Sequence, residues 1–472
     1  MSWENLRIFG NKNRIVLVTG AAWIFVQGIS LSYPNVRFWD DYQYYATNKV
    51  NLPRSVVPNP GRDLIDGMML SIWPGLFRVL TFILLPVCSL LFYKILTAGD
   101  SPIGASESKM VASAFLLWFP STYSIMVSMT LFNYTLALTV FLVGWLAIIS
   151  KKWYSRWLIA PISIAISFRL PSLIPFLIFP VLHTLWLGRT TRRTFAERAF
   201  LAALITGTAL SYFPILTRLG YTFQDNYNEV LPSRFLKGLL VLLLATCISA
   251  WLLFQIIRRK SEKSVSLNLS IAISSLMFGV AAFPYLITGH LTDISSVLAP
   301  LIPREGGYGG RHLVLFAFPL SILTSAFLQS VRPKFSRRVS QVLLGSLTLL
   351  GLSNSIEWKV DAIRQNAVIR ALSQMPEISS IRYFYLDDGL SELNAKGRDV
   401  RSYEKEGWIR MAGGQKGVQH LVPATSQCNI VVPGFEISLR SSNLSRIQML
   451  LSQDLTVEVS ATEISLCGTN QS

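Results

Sequence analysis

Charge is scarce in this chain. Asp, Glu, Lys and Arg make up 15% of its 472 residues, where a soluble domain carries about 25%. Acidic residues are scarcer still, 26 against 43 Lys and Arg. Four cysteines and four histidines are present, and no Cys/His spacing among them reads as a zinc site. No internal repeat or low-complexity tract stands out. The first apolar segment, Ile15 to Tyr33, lacks the short apolar core and small-residue cleavage site of a signal peptide, so it reads as an uncleaved helix with its N-terminus in the cytoplasm. Together these absences exclude an ordinary soluble globular protein and a zinc module.

What is abundant is apolar. Half of the chain (51%) is hydrophobic and the mean hydropathy is +0.43. The apolar residues fall in repeated runs of roughly 20, each long enough to cross a bilayer as a helix. The net charge of +17 would suit nucleic acid. Its basic residues cluster instead in short loops between the runs, at Lys151-Lys152, Arg192-Arg193, Arg258-Arg259-Lys260 and Arg337-Arg338, the distribution expected of cytoplasmic loops. The expected architecture is therefore an all-α polytopic membrane protein of about eleven transmembrane helices, over residues 1–355. Residues 356–472 have mixed charge and no spanning run, and read as a small soluble α/β domain on the extracytoplasmic face. There Val360 to Met375 has helical spacing, Ile381 to Leu386 is strand-like, and Asp387-Asp388-Gly389 signals a turn. Cys428 and Cys467 lie in this tail and pair if it faces an oxidising compartment. Cys88 and Cys247 lie in apolar runs and read as inert.

Particular segments carry more information. The run 71–96 contains Arg78, read as snorkelling to the interface. Helices at about 109–127 and 130–150 form a tight pair, with Pro120 and Ser121 marking a turn or kink near their junction. Residues 157–187 are too long for one helix and are broken at Arg169-Leu170-Pro171, so they read as two short helices with Arg169 at the outer turn. A further helix is expected at about 198–217, and others at about 235–257, 267–289, 311–331 and 339–354.

The chain is organised around Phe38-Trp39-Asp40-Asp41-Tyr42-Gln43-Tyr44-Tyr45, two adjacent carboxylates among aromatics just beyond the first helix. The topology places Asp40 and Asp41 on the same membrane face as Arg54, Arg62, Arg169, Asp225, Glu229, His290, Arg304, Glu305 and Arg311. A carboxylate can deprotonate an attacking hydroxyl. Arginines hold phosphate oxygens in a forked geometry and stabilise charge on a leaving phosphate. The set suits transfer from a phosphate-bearing donor with a lipid tail. Plainer readings stand beside it. The arginines also read as interfacial anchors, Asp225, Glu229 and Asp293 as solvated loop charges, His290 as a cap on the helix before it, and the aromatics as an interfacial belt or a sugar-stacking surface. Gly306-Gly307-Tyr308-Gly309-Gly310 lacks the strand-to-helix context of a P-loop and reads as a flexible loop able to close over a substrate.

An acidic pair in the first extracytoplasmic loop of a many-helix protein resembles the GT-C membrane glycosyltransferases. Ser167-Phe168-Arg169-Leu170-Pro171-Ser172 is similar to their short-helix hairpin with a basic outer turn. The acidic loop followed by Gly61-Arg62 is similar to the bacterial glucosyltransferases that decorate O-antigen. The resemblance spans residues 1–355, and the tail matches nothing. It implies a GT-C-like inverting transfer of a sugar from a polyprenyl-phosphate-linked donor to an acceptor hydroxyl of a glycan, lipid or protein. Asp40 or Asp41 would be the general base, with Asp40, nearer the helix end, the more rigidly held. Arg169 and Arg311, with Arg62, His290 and Arg304, would bind the donor phosphate. The resemblance also implies a bacterial inner membrane, with the site and tail on the periplasmic or outer face. It leaves a divalent metal (Mg or Mn) open, for which Asp225, Glu229, Asp293 and Glu305 are the acidic residues at hand, although no spacing among them supports a site. The rival readings are a transporter or flippase for a lipid-linked glycan, which would place its charges deep within helices, and a non-catalytic membrane subunit. Here the charges sit at helix ends.

Overall fold

In a computed structural model of the chain the described residues are 14–38, 41–42, 72–73, 75–98, 106–129, 131–167, 170–187, 232–258, 262–287, 313–415, 417–425, 428, 430–442 and 445–468, with isolated positions near 200. The chain forms two compact units. The first comprises Met1–Val26, Leu80–Ile125 and Leu131–Gly351, and the second Gln27–Val79, Met126–Thr130 and Leu352–Ser472.

The described helices are α1 (Arg14–Gln27), α2 (Leu76–Thr97), α3 (Ser106–Leu117), α4 (Ser121–Val127), α5 (Phe132–Ile149), α6 (Ala160–Ser167), α7 (Ile178–Leu187), α8 (Pro232–Arg258), α9 (Glu262–Ile287), α10 (Ala317–Ser330), α11 (Pro333–Leu372), α12 (Ser402–Met411) and α13 (Arg446–Ser452). Six apolar helical segments among the described residues are long enough to cross a membrane: Leu76–Thr97, Phe132–Ile149, Pro232–Gln255, Leu267–Ile287, Leu313–Ser330 and Pro333–Leu372. Leu17–Ser32, Ser108–Leu117 and Ser155–Ser167 are apolar but shorter. The helix expected at 198–217 lies largely outside the described residues.

Within the first unit α8 lies along α9, α9 against α10, and α10 against α3. Lipid tails are as apolar as these helices, so close approach and interhelical hydrogen bonds hold them together. A Cβ on Gly279 would stand 2.6 Å from that of Ala245, an approach only glycine permits. Ser249 Oγ donates to Ala272 O at 2.8 Å and Ser274 Oγ to Pro319 O at 3.1 Å. The kink expected at Pro120 is the break between α3 and α4, where proline offers no amide to continue the helix. The segment 157–187 is two short helices, α6 and α7, separated by the 3₁₀ turns Pro171–Leu173 and Pro175–Leu177.

Two expectations need correction. The helices expected at 339–354 and 360–375 are one continuous helix of 40 residues, α11. Between its first residue and Pro376 no proline interrupts it, and Gly345 and Gly351 each cost only about 1 kcal/mol relative to alanine. Arg78 does not snorkel. It is 1% exposed, and its guanidinium donates to Val36 O at 2.8 Å and to the carbonyls of Tyr33 and Val127. All of these residues belong to the second unit. They lie at or beyond helix ends, where carbonyls need partners other than the helix.

The second unit contains a five-stranded sheet in the order β2-β1-β4-β5-β3, built from β1 (Tyr383–Asp388), β2 (Gln419–His420), β3 (Val422–Pro423), β4 (Val431–Arg440) and β5 (Glu458–Cys467). Strand β1 is parallel to β2 and β4, while β5 is antiparallel to β4 and β3. Alternate residues turn Phe384 and Leu386, and Phe435, Ile437 and Leu439, toward one core. The C-terminal part of α11 meets that core with Val360, Ile363, Ala367, Val368 and Leu372, an i, i+3, i+4 stripe. Trp408 of α12 completes it. Cys428 and Cys467 are joined in a disulfide. The turn expected at Asp387-Asp388-Gly389 begins later: Asp387 and Asp388 are still in β1, paired with Ser438 and Leu439 of β4, and Gly389 turns the chain.

Candidate functional site: the first-loop aspartate and its mount

The stretch after α1 begins with a 3₁₀ turn, Gly28–Ser32, and runs extended through Val36 to Phe38. Asp41 is fully buried. Its Oδ2 accepts from the Met129 amide at 2.9 Å and the Phe38 amide at 3.2 Å, and its Oδ1 accepts from Ser128 Oγ at 2.9 Å. The Asp41 amide returns a bond to Phe38 O at 3.1 Å. Asp41 therefore closes a small ring with Phe38 and ties it to the segment after α4. Hydrogen bonds to an ionised carboxylate are stronger than neutral ones, so a buried carboxylate with three donors is a firm anchor.

The neighbours of Asp41 are mounted on the α/β core of the same unit. The Phe38 ring meets Trp358 of α11 edge-on at 5.1 Å, and the Arg398 guanidinium lies 5.6 Å from its centroid. The Tyr42 hydroxyl donates to Gln365 Oε1. Burial raises the Tyr42 pKa, with the negative charge of Glu404 adding to it, so Tyr42 acts as a donor and not as a base. Arg37 Nη1 reaches Met411 Sδ at 3.0 Å.

Beneath lies a buried ionic network. Arg398 Nε donates to Asp361 Oδ2 at 2.9 Å, and its Nη1 to Glu404 Oε2 at 2.7 Å. Asp361 and Glu404 are wholly buried. Burial alone pushes the Arg398 guanidinium down. The two carboxylates outweigh it, and its pKa stands above the ordinary arginine value. Gln365 Nε2 donates to Asp361 Oδ1 at 2.9 Å, which joins Tyr42 to the network. Arg364 bonds Asp388 at the end of β1 and stacks over Trp408 at 5.1 Å.

Of the expected site residues, Asp41 is described. Asp40, Arg62, Arg169, His290, Arg304 and Arg311 lie outside the described residues, as do Arg54, Asp225, Glu229, Asp293, Glu305 and the glycine-rich loop 306–310. Among the described residues no three His, Cys, Asp or Glu side chains gather as a metal would require. The residues that sequence reasoning passed over are Ser128, Met129, Arg398, Glu404 and the Asp361–Arg364–Gln365 group. That last group carried a signal, because three polar residues interrupt the apolar stripe of α11, and polar groups on a buried face must find partners.

No protein-family model and no curated protein matches the chain.

Proposed function

We propose that the chain is a GT-C-like membrane glycosyltransferase with Asp40 as its general base. The acceptor hydroxyl oxygen attacks the anomeric carbon of a polyprenyl-phosphate-linked sugar. The bond from that carbon to the phosphate oxygen breaks, and the phosphate leaves with the electron pair. The hydroxyl proton passes to Asp40, and a single displacement inverts the anomeric centre. Arg169 and Arg311, with Arg62, His290 and Arg304, hold the donor phosphate and offset its developing charge.

One observation carries the division of labour within the acidic pair: Asp41 is buried and engaged by at least three donors among the described residues. A carboxylate so engaged is an anchor, which leaves Asp40 for proton transfer. Precise positioning of a base requires such an immobile support. Two further findings support the reading. Among the described residues six apolar helical segments are long enough to span a bilayer. The Cys428–Cys467 disulfide fits a tail in an oxidising compartment.

The test is transfer from a radiolabelled polyprenyl-phosphate sugar in membranes containing single variants. Asp40→Asn should accumulate normally and lose transfer by about 10²–10⁴-fold, the usual worth of a general base. Asp41→Ala should lower accumulation itself. Full transfer by Asp40→Asn would remove Asp40 as the base. Movement of the intact lipid-linked glycan across the bilayer, with no transfer by the unaltered protein, would favour the transporter.

A further inference from the structure

We infer that the first unit carries a binding site for an anionic phospholipid, in a groove between α3, α10 and α11 that ends at a basic turn. The groove has a volume of about 350 Å³. Phe115 of α3, Leu320, Thr324 and Phe327 of α10, and Val339 and Leu343 of α11 line it. Its single hydroxyl, on Thr324, is already spent on Leu320 O at 2.8 Å. An occupant therefore meets an apolar wall and finds no hydrogen bond. Phe327 is 52% exposed at its rim, and Leu313–Ser330 and Pro333–Leu372 are both apolar enough to cross a bilayer. A groove that opens sideways from such helices faces acyl chains.

One end of the groove identifies the headgroup. Gln329 Nε2 donates to Ser108 Oγ at 3.4 Å, so the last turn of α10 is level with the first turn of α3. Val331 and Arg332 then lead directly into α11. Arg332, Lys334, Arg337 and Arg338 fall within seven residues at this end, and all four are exposed. Among the described residues none of them has a carboxylate partner. Val339 lies at the level of Arg338, one residue further along a helix that rises 1.5 Å per residue. Cations thus stand within reach of a phosphate whose acyl chain fills the groove. Basic pockets between membrane helices hold anionic headgroups, each Lys or Arg near the surface contributing about fivefold in binding.

The experiment is native mass spectrometry of the full chain in detergent, titrated with phosphatidylglycerol or with phosphatidylcholine of the same acyl chains. Glycerol 3-phosphate serves as the headgroup without tails. The native protein should retain phosphatidylglycerol on the order of tenfold or more better than phosphatidylcholine, and should not retain glycerol 3-phosphate. Joint replacement Arg332→Gln, Lys334→Gln, Arg337→Gln and Arg338→Gln should bring phosphatidylglycerol down to the phosphatidylcholine level. Thr324→Trp, which projects into the groove, should lower retention of both lipids. Equal retention of the two lipids by the native protein, or unchanged phosphatidylglycerol binding in the glutamine variant, would overturn the site. Retention of glycerol 3-phosphate as strong as that of the lipid would overturn the groove's part in it. If Thr324→Trp fails to purify as a single species, the glutamine variant decides alone, since it alters only exposed side chains.

Discussion

Tyr42 packs directly against Gly407, with no room between them for a side chain. A Cβ at position 407 would stand 2.4 Å from Tyr42 Cδ1 and 2.8 Å from Cβ and Cγ of the same side chain. The first-loop segment and α12 therefore meet at a point where no side chain fits. Gly407→Ala should force the tyrosine away from Gln365 and cost about 1–3 kcal/mol, the usual penalty of overpacking. The midpoint of thermal unfolding in detergent measures it. An unchanged midpoint would show that the ring yields freely, and that the mount of Asp41 is softer than the geometry implies.

Removing Arg398 should be more damaging. It is the shared partner of two fully buried carboxylates, Asp361 and Glu404. Arg398→Leu takes one salt bridge from each, leaving Asp361 with Arg364 at 3.9 Å and the Gln365 amide and Glu404 with the Arg401 amide at 3.2 Å, and breaking a buried pair from one side costs up to about 3–5 kcal/mol. In that variant Asp361 loses the stronger of the two arginine charges that hold its pKa below the ordinary carboxylate value, so its folded-state pKa rises. The variant should therefore be least destabilised at acid pH and lose stability as pH rises through that value. Denaturation midpoints at pH 5 and pH 8 compare the two conditions. Equal destabilisation at both would mean that another cation replaces Arg398.

His420 predicts the opposite slope. Burial, with the nearby charge of Lys405, lowers its pKa from 6.5 to about 4. Its Nε2 lies 3.3 Å from Lys405 Nζ. The folded state then binds fewer protons than the unfolded one between these values. The contribution of His420 is fully present above pH 6.5 and is lost as pH falls toward 4. Glu406, whose carboxylate accepts the His420 amide at 3.1 Å, is raised by burial and works against this trend. His420→Gln removes the imidazole alone. It should flatten the fall in unfolding midpoint between pH 6.5 and pH 4, and an unaltered profile would assign the acid sensitivity elsewhere.

The disulfide between Cys428 and Cys467 spans 39 positions and ties the start of β4 to the end of β5. A loop of this length is worth up to about 4 kcal/mol through the unfolded chain. Reduction should lower the unfolding midpoint of the native protein. It should leave a Cys428→Ser, Cys467→Ser double variant unmoved. A native protein indifferent to reductant would show that the β4–β5 pairing alone holds this edge.

Much of the architecture was legible from periodicity. The long apolar helices, the break in 157–187, the kink at Pro120 and the strand before Asp387 each follow from local patterns, because helix length, proline chemistry and side-chain alternation act over a few residues. The fusion of 339–354 with 360–375 was less legible. The polar run Ser353-Asn354-Ser355 and Glu357 reads as an exit from the membrane, but composition that ends an apolar run does not end a helix.

By itself, the sequence determined where the apolar helices lie, that a mixed-charge α/β segment follows them, and that two carboxylates sit beyond the first helix. Only the tertiary structure decided which groups bond the Asp41 carboxylate. Its donors come from Phe38, Ser128 and Met129, and the last two lie almost ninety residues away along the chain. Likewise Arg398 meets Asp361 across 37 residues and Tyr42 meets Gln365 across 323. A buried charge is stable only when partners converge on it, and that convergence depends on how distant segments pack, which no local pattern encodes.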